Sequence, residues 1–277
     1  MLIGNRKIST EVVKALVSNI KKKKELKSVS DDFVVENLQK YLASEAKAIS
    51  FLSGKFSVKS SRYKEIVKGV RSQLRRAHGL FGSGDVALRQ ELFKQGKYVE
   101  ILKTHSSTKE RMGFYADLYV KLWKITGKPN RILDLGCGLN PFSISLMGLS
   151  KVKYFAYDVN EDEMRLVKKF LVKERIEGKA VVKDVRKVER WEEKADVCFL
   201  WKMTDVLESG KGHKKSEEVM KRILAKYLVV SFPTVTKSGK PMNFPRRKWI
   251  ELMCTRLGWK FKVISEKNEL FYVITKE

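Results

Sequence analysis

Cysteine is scarce in this 277-residue chain, and Cys137, Cys198 and Cys254 stand far apart with no Cys-x-x-Cys pair. That spacing excludes a disulfide framework and a zinc knuckle, and it fits a reducing compartment. Long apolar runs are also missing. No stretch approaches the ~18 uninterrupted apolar residues of a membrane span, and charges break the opening MLIGNRKISTEVVKALV too early for a secretory signal. These absences predict a soluble, cytoplasmic protein. No internal repeat or low-complexity tract is present, and no lysine-bearing Walker loop, the familiar phosphate-binding signature, occurs.

Negative charge is the other shortage: 58 Lys and Arg face 32 Asp and Glu, a formal charge of +26. The imbalance exceeds what solubility requires and points to a polyanionic partner, whether nucleic acid, anionic membrane or acidic protein. Heat adaptation alone would raise both signs together. With 43% hydrophobic and 10% aromatic residues, the chain can bury one large core or two moderate ones, so wholesale disorder is excluded.

Residues 1–130 carry 27 Lys and Arg against 12 Asp and Glu, whereas 131–277 carry 31 against 20. The first part reads as helical. STEVVKALVSNI, DDFVVENLQKYLA and SRYKEIVKGVRSQLRRAHGLF place apolar residues three and four apart, with Ser9, Ser30 or Asp31, and Ser60 or Ser61 as N-caps. Lys21 to Lys24 interrupt the first two helices, and Gly79 to Gly84 reads as a loop. A helical domain is expected over 1–103. Over 104–277 the rhythm changes to short apolar runs at 131–136, 153–158, 180–184, 195–201, 227–232, 259–266 and 269–276. Charged helical segments such as EDEMRLVKKFLVKERI separate the first five. The alternation predicts an α/β, Rossmann-like domain whose seven-stranded sheet is mainly parallel and ends in an antiparallel hairpin.

Asp134-Leu135-Gly136-Cys137-Gly138 ends the first of these strands. A glycine turn there lets the backbone approach a ligand at the carboxyl end of the sheet. Pro141 stands where a dinucleotide fingerprint has its third glycine. Asp158 closes the second strand, where a carboxylate can accept both hydroxyls of a ribose, and Asp184 closes the third, near an adenine amino group. Glu161 and Asp162 read as solvated or capping acids. The three strand ends together fit S-adenosylmethionine better than a phosphate-bearing nucleotide, and with seven strands they predict the class I methyltransferase fold.

The fourth strand ends Phe199-Leu200-Trp201-Lys202 and lacks the Asn/Asp-Pro-Pro-aromatic turn that goes with exocyclic amines. Asn140-Pro141-Phe142 follows the wrong strand and reads as the start of the first crossover helix. Cys137 and Cys198 read as packing residues rather than nucleophiles for a pyrimidine carbon. Lys202 and Glu208 remain, without a strong base. Guanine N7 fits that profile because its in-plane lone pair needs no deprotonation, while a ribose hydroxyl, with Lys202 and an acid as base, stays open. Reaching N7 in a duplex calls for access to the major groove or for unstacking of the base. Trp201 and Phe232 are candidates to receive such a base, or else core residues.

Several segments resemble the 16S ribosomal RNA guanine-N7 methyltransferases of aminoglycoside producers and resistant bacteria, over roughly residues 60–277. They are Arg62-Tyr63-Lys64-Glu65, His105-Ser106-Ser107-Thr108-Lys109-Glu110-Arg111, the run Ile132 to Pro141, Lys202 with Leu207-Glu208, Val230-Ser231-Phe232-Pro233-Thr234, and Glu269 to Ile274. The resemblance implies that Arg111 binds the methionine carboxylate, a role suited to its guanidinium fork. It implies too that His105, Gly136, Cys137, Gly138 and Leu200 line S-adenosyl-L-methionine, with Asp158 and Val159 at the ribose and Asp184 and Val185 at the adenine. Lys202 and Glu208 would sit beside a target guanine of small-subunit ribosomal RNA near the decoding site, and S-adenosyl-L-homocysteine would be the product. The enzyme would act as a monomer on the assembled subunit, with phosphate contacts from Lys21, Lys22, Lys23, Lys24, Arg71, Arg75, Arg76, Lys237, Arg246 and Arg247 positioning it. Two segments depart from the family pattern: Met203-Thr204-Asp205-Val206, where prolines and leucines are typical, and the loop 235–247. They leave open a housekeeping target, another RNA atom such as a ribose hydroxyl, a transfer-RNA guanine, or a non-catalytic assembly factor. Aminoglycoside resistance therefore does not follow from the resemblance alone.

Overall fold

The computed structural model describes residues 2–3, 6–54, 56–78, 85–208, 212–236 and 239–276. The expected loop 79–84, Lys237 and the side chain of Arg76 lie outside the described residues. Two compact units emerge: Met1–Gly84 with Val159–Glu161, and Asp85–Asp158 with Asp162–Glu277. Residues 85–103 thus group with the second unit, whereas the sequence suggested a boundary at 103.

The first unit opens with a short antiparallel pair, β1 (Leu2–Ile3) and β2 (Arg6–Lys7), followed by α1 (Thr10–Lys21), α2 (Asp31–Ala43), α3 (Ala46–Ser53) and α4 (Ser61–His78). Ser9 caps α1 by accepting the Val12 N–H at 3.3 Å, and Ser60 accepts the Tyr63 N–H at the start of α4. Side-chain oxygens here satisfy amides that the first helical turn leaves unpaired. α4 buries Tyr63, Ile66, Val67, Val70 and Leu74, the three- and four-residue spacing read from the sequence, against Leu16 and Ile20 of α1 and Phe33 and Leu38 of α2. Residues 159–161 join this unit through Ser30 N–H to Val159 O at 3.0 Å and Glu161 N–H to Ser28 O at 2.8 Å.

The second unit begins with α5 (Val86–Lys94), α6 (Tyr98–Lys103), α7 (Ser106–Arg111) and α8 (Tyr115–Thr126). α6 belongs here because Tyr98 meets Phe142 and Phe170, with ring centroids 5.9 and 4.9 Å apart. The chain continues through β3 (Arg131–Leu135), β4 (Lys153–Asp158), α9 (Glu161–Lys173), β5 (Gly178–Val182), β6 (Ala195–Trp201), α10 (Thr204–Leu207), α11 (Lys214–Arg222), β7 (Ala225–Pro233), α12 (Lys248–Arg256), β8 (Lys260–Glu266) and β9 (Glu269–Thr275). The sheet order is β5-β4-β3-β6-β7-β9-β8, parallel through β7 and antiparallel for β9 and β8. Seven strands, five parallel and a terminal hairpin, are as expected.

Side chains alternate between two cores, which explains the near-continuous apolar runs of a sheet covered on both faces. Val197, Phe199 and Trp201 join one core with Phe271 and Val273, while Cys198 and Leu200 join the other with Leu228, Val230 and Tyr272. Two local expectations change. The crossover after β3 is a 3-10 segment, Asn140–Leu146, with Pro141 in its first turn, where no intrahelical N–H is needed. The third parallel strand stops at Val182, and Asp184 instead caps the next turn by accepting the Arg186 N–H at 3.0 Å. Among the described residues, no helix is long and apolar enough to cross a membrane.

Candidate active site

The parallel strands β3, β4, β6 and β7 present their carboxyl ends at one edge of the sheet, where open α/β folds place ligands. Gly136 and Gly138 lie there at φ of 68° and 50°, in the left-handed region that glycine enters without steric penalty. The N–H groups of Gly136 and Cys137 both donate to Tyr157 O, at 2.8 and 3.1 Å, and Gly138 N–H donates to Asp158 Oδ2 at 3.0 Å. The turn and the carboxylate at the end of β4 therefore fix one another. Beneath them, buried Asp134 accepts from Asn140 Nδ2 at 2.9 Å and from the Tyr154 hydroxyl at 2.6 Å, and Asn140 Oδ1 accepts from Tyr115 at 2.9 Å. Burial pushes the Asp134 carboxyl up to about 6, against the lowering effect of those two donors.

The backbone leaves a cradle suited to S-adenosylmethionine. A Cβ on Gly136 would stand 1.9 Å from Met203 Sδ, and one on Gly138 would stand 3.3 Å from His105 Nε2. A flexible thioether, not backbone, thus lies over Gly136. Near the end of β6, Trp201 Nε1 and Thr204 Oγ1 are buried without a hydrogen-bond partner in the protein. A glycine turn, a carboxylate at the end of β4 and unpaired polar atoms match the chemistry of a nucleoside with an amino-acid tail.

A buried charge network lies beside this edge. Arg111 Nε and Nη2 donate to Glu269 Oε2 and Oε1 at 3.0 and 2.7 Å, and the two side chains are only 2% and 0% exposed. Ser231 Oγ hydrogen-bonds Glu269, and Lys202 Nζ pairs with Glu110 and lies 3.5 Å from Glu269 Oε2. The Arg111 guanidinium sits 4.7 Å over the Trp201 ring. Burial is the largest single influence and pulls that guanidinium down, but the charges and hydrogen bonds of Glu269 and Tyr115 together outweigh it and hold it above its ordinary value. Lys202 itself adopts φ 55°, uncommon for a residue with a Cβ, and its N–H is fixed by Ser231 O and Oγ at 3.2 and 3.0 Å.

Glu269 and Glu110 escaped sequence reasoning as site residues. The signal was faint: one acid opening the otherwise apolar strand ELFYVIT, and one acid inside the helical run before Arg111.

Other expected ligands have different partners. Both carboxylate oxygens of Asp184 engage Arg186, through Nε at 2.9 and 3.1 Å and Nη2 at 2.5 Å. Glu208 Oε1 accepts the Ser216 N–H at 2.7 Å in the first turn of α11. Cys137 packs in a core beside Met164, and Cys198 packs in the other; burial pushes both thiols well up. Val185 and Leu200 are buried in the core with Cys198, while the Val159 side chain packs with the helical unit. Trp201 and Phe232 are buried core aromatics, which corrects the alternative that either receives a base.

The expected phosphate-binding cations divide into three groups. Lys22, Lys23 and Lys24 are exposed, and Lys22 lines an open groove of about 640 Å³ whose rim also carries Lys14, Lys21 and Lys27. Lys21, Arg75 and Arg246 pair with Asp31, Glu25 and Glu251 at 2.5, 2.6 and 2.8 Å. Arg71 and Arg247 are committed to backbone carbonyls: Arg71 to Ile20 and Asn19 at the end of α1, Arg247 to Phe244, Pro245 and Pro233. For those two the guanidinium holds the fold.

Comparison with known proteins gives a consistent set of matches. The model of the ribosomal RNA methyltransferase (FmrO) family matches residues 56–273. A 16S rRNA (guanine(1405)-N(7))-methyltransferase from Frankia casuarinae is 28% identical over 181 residues, which is 63% of this chain and 62% of that protein, so the match spans less than two thirds of the relative. Its counterpart from Proteus mirabilis is 23% identical over 240 residues, 77% of this chain and 85% of that one. The crystal structure of the 16S rRNA methyltransferase RmtF with S-adenosyl-L-homocysteine shares the fold, with a TM-score of 0.80 at 21% identity over 97% of this chain and 100% of that chain.

Proposed function

Because the chain belongs to the ribosomal RNA methyltransferase (FmrO) family, we propose that it methylates N7 of a guanine in 16S ribosomal RNA, with S-adenosyl-L-methionine as donor and S-adenosyl-L-homocysteine as product. The observation that carries this reading is the edge at the end of β6, where Lys202 stands in a charge network, while the Cys198 thiol, four residues earlier and within that strand, is buried in the core and held protonated. A buried thiol argues against a cysteine nucleophile and hence against pyrimidine carbon chemistry. An acceptor with its own lone pair needs only alignment, and guanine N7 is such an acceptor.

When bound, S-adenosyl-L-methionine supplies a methyl carbon made electrophilic by the sulfonium. Gly136 and Gly138 hold the backbone close to it, and Asp158, oriented by Gly138 N–H, accepts from ribose hydroxyls. Lys202, anchored by Glu110 and Glu269, donates toward the guanine O6 and so orients the base with N7 unblocked. Arg111 and Glu269 act as a buried strut beneath that ammonium. Glu208 acts through α11, whose first turn it caps. The exposed lysines of the helical unit contact phosphates and set the register.

The substrate in this reading is the assembled small subunit, and the enzyme is a cytoplasmic monomer. Labelled methyl transfer to purified subunits and to naked 16S ribosomal RNA, followed by nucleoside mass spectrometry, tests it. The expected product is 7-methylguanosine at a single position. A labelled nucleoside of any other kind, or no transfer to either substrate, would overturn the assignment.

A further inference from the structure

We propose that Phe244 is a stacking platform for an unpaired base of the RNA substrate, held out from the protein by the loop that joins β7 to α12. The proposal rests on the RNA reading above and adds to it a recognition element in a segment that departs from the family's pattern. Phe244 is 83% exposed, the most exposed large apolar side chain among the described residues. Single exposed apolar residues are ordinary on protein surfaces. What distinguishes this one is how its backbone is held.

Arg247 donates from Nη1 to Phe244 O at 2.8 Å and to Pro245 O at 3.1 Å, and from Nη2 to Pro233 O at 3.4 Å. Its guanidinium lies 5.3 Å over the Phe232 ring, and its own N–H donates to the Tyr272 hydroxyl at 2.9 Å. The loop is thereby riveted to the end of β7 while the ring at 244 faces solvent. Pro245 narrows the backbone choices of the residue before it. An aromatic presented on a fixed backbone loses little freedom on binding, which favours recognition by a rigid platform.

Charge identifies the partner. Lys240, Arg246 and Lys248, all exposed, flank Phe244 in sequence along this segment, and the Glu251 carboxylate is already engaged by Arg246 and the Tyr272 hydroxyl. An apolar π surface set among cations complements a chain of phosphates with exposed base faces, the arrangement that single-stranded nucleic acid provides. Topology puts the platform at the right end of the sheet: β7 lies beside β6, Trp201 pairs with Ser231 in register, and Lys202 N–H bonds Ser231 O. Phe244 therefore follows the strand whose carboxyl end adjoins Lys202. A base stacked on it would be a nucleotide near the target guanine, displaced from its own helix.

The test uses the full chain and purified bacterial small subunits, with methyl transfer from labelled S-adenosyl-L-methionine and, separately, retention of subunits on filters. For Phe244→Ala, KM for subunits and the dissociation constant should rise about 5- to 100-fold, the range of one lost base–aromatic stack, with affinity for S-adenosyl-L-homocysteine unchanged. Phe244→Trp should restore binding and Phe244→Leu should not. An alanine variant within twofold of the wild type, or a leucine variant as good as tryptophan, overturns the proposal. If the wild type binds subunits with this pattern but transfers no methyl group, stacking stands and the methylation reading falls; if it does not bind them at all, stacking falls too.

Discussion

Replacing Glu269 with glutamine removes one charge from the least exposed ion pair among the described residues of the second unit and changes little else in shape. Arg111, whose side chain is 2% exposed, would then lose its carboxylate partner, and Lys202, 9% exposed, would keep Glu110, itself partly in solvent. Removing one partner of a buried pair leaves an uncompensated charge, a loss of about 3–5 kcal/mol. For a chain of this length that corresponds to a fall in unfolding midpoint of roughly 6–20 °C. Trp201, 4.7 Å from the Arg111 guanidinium, gives an intrinsic fluorescence signal at the perturbed place. Thermal and urea unfolding of Glu269→Gln reads the loss of the charge, and Glu269→Leu, Arg111→Met and the double variant Arg111→Met/Glu269→Leu form a cycle. The double variant should be more stable than either single one, because an apolar pair leaves no orphaned charge. A Glu269→Gln midpoint indistinguishable from wild type, or strictly additive losses in the cycle, would refute the view that these charges are buried and mutually dependent.

Three further outcomes are expected. Asp158→Asn keeps an acceptor for the Gly138 N–H but removes the charge, so affinity for S-adenosyl-L-homocysteine by titration calorimetry should drop about 10- to 100-fold while the unfolding midpoint holds; an unchanged affinity counts against Asp158 as the ribose ligand. Asp134 titrates at about 6 in the folded protein and near its ordinary value of 3.8 when unfolded, so both states are protonated in strong acid, and a penalty develops as pH rises through that window and is complete above it. Asp134→Asn should therefore gain about 2–3 kcal/mol relative to wild type between pH 4 and pH 8, measured by urea unfolding, and a pH-independent difference would exclude the shift. Finally, subunit binding should weaken steeply with salt, and replacing Lys22, Lys23 and Lys24 together by alanine should flatten the log–log slope by about 2–3; an unaltered slope removes these lysines from the phosphate contacts.

Local features of the chain were legible because they depend on neighbours in sequence. The Ser9 cap lies three residues from the amide it accepts, the apolar face of α4 repeats every three or four residues, and the end of β3 carries its glycine turn. Strand ends were less secure: β5 stops two residues before Asp184, because Lys183 N–H turns to Asp158 O and the Asp184 carboxylate caps the following turn. The boundary between compact units falls at 84/85 rather than 103 for a similar reason. Tyr98 and Arg89 look like residues of a helical domain by composition, yet their partners Phe170 and Glu163 lie on α9.

By itself the sequence determined the alternation of strands and helices, the number of strands, the glycine turn with Asp158 behind it, and a surplus of positive charge seeking a polyanion. Periodicity and residue chemistry act over a few positions, so they can be read along a line. Only the tertiary structure decided which charges are available. It tied Arg71 and Arg247 to carbonyls and Asp184 to Arg186, and it joined Arg111 to Glu269 across 158 residues of sequence. A charge acts through its nearest partner in space, and in a folded chain that partner can come from anywhere.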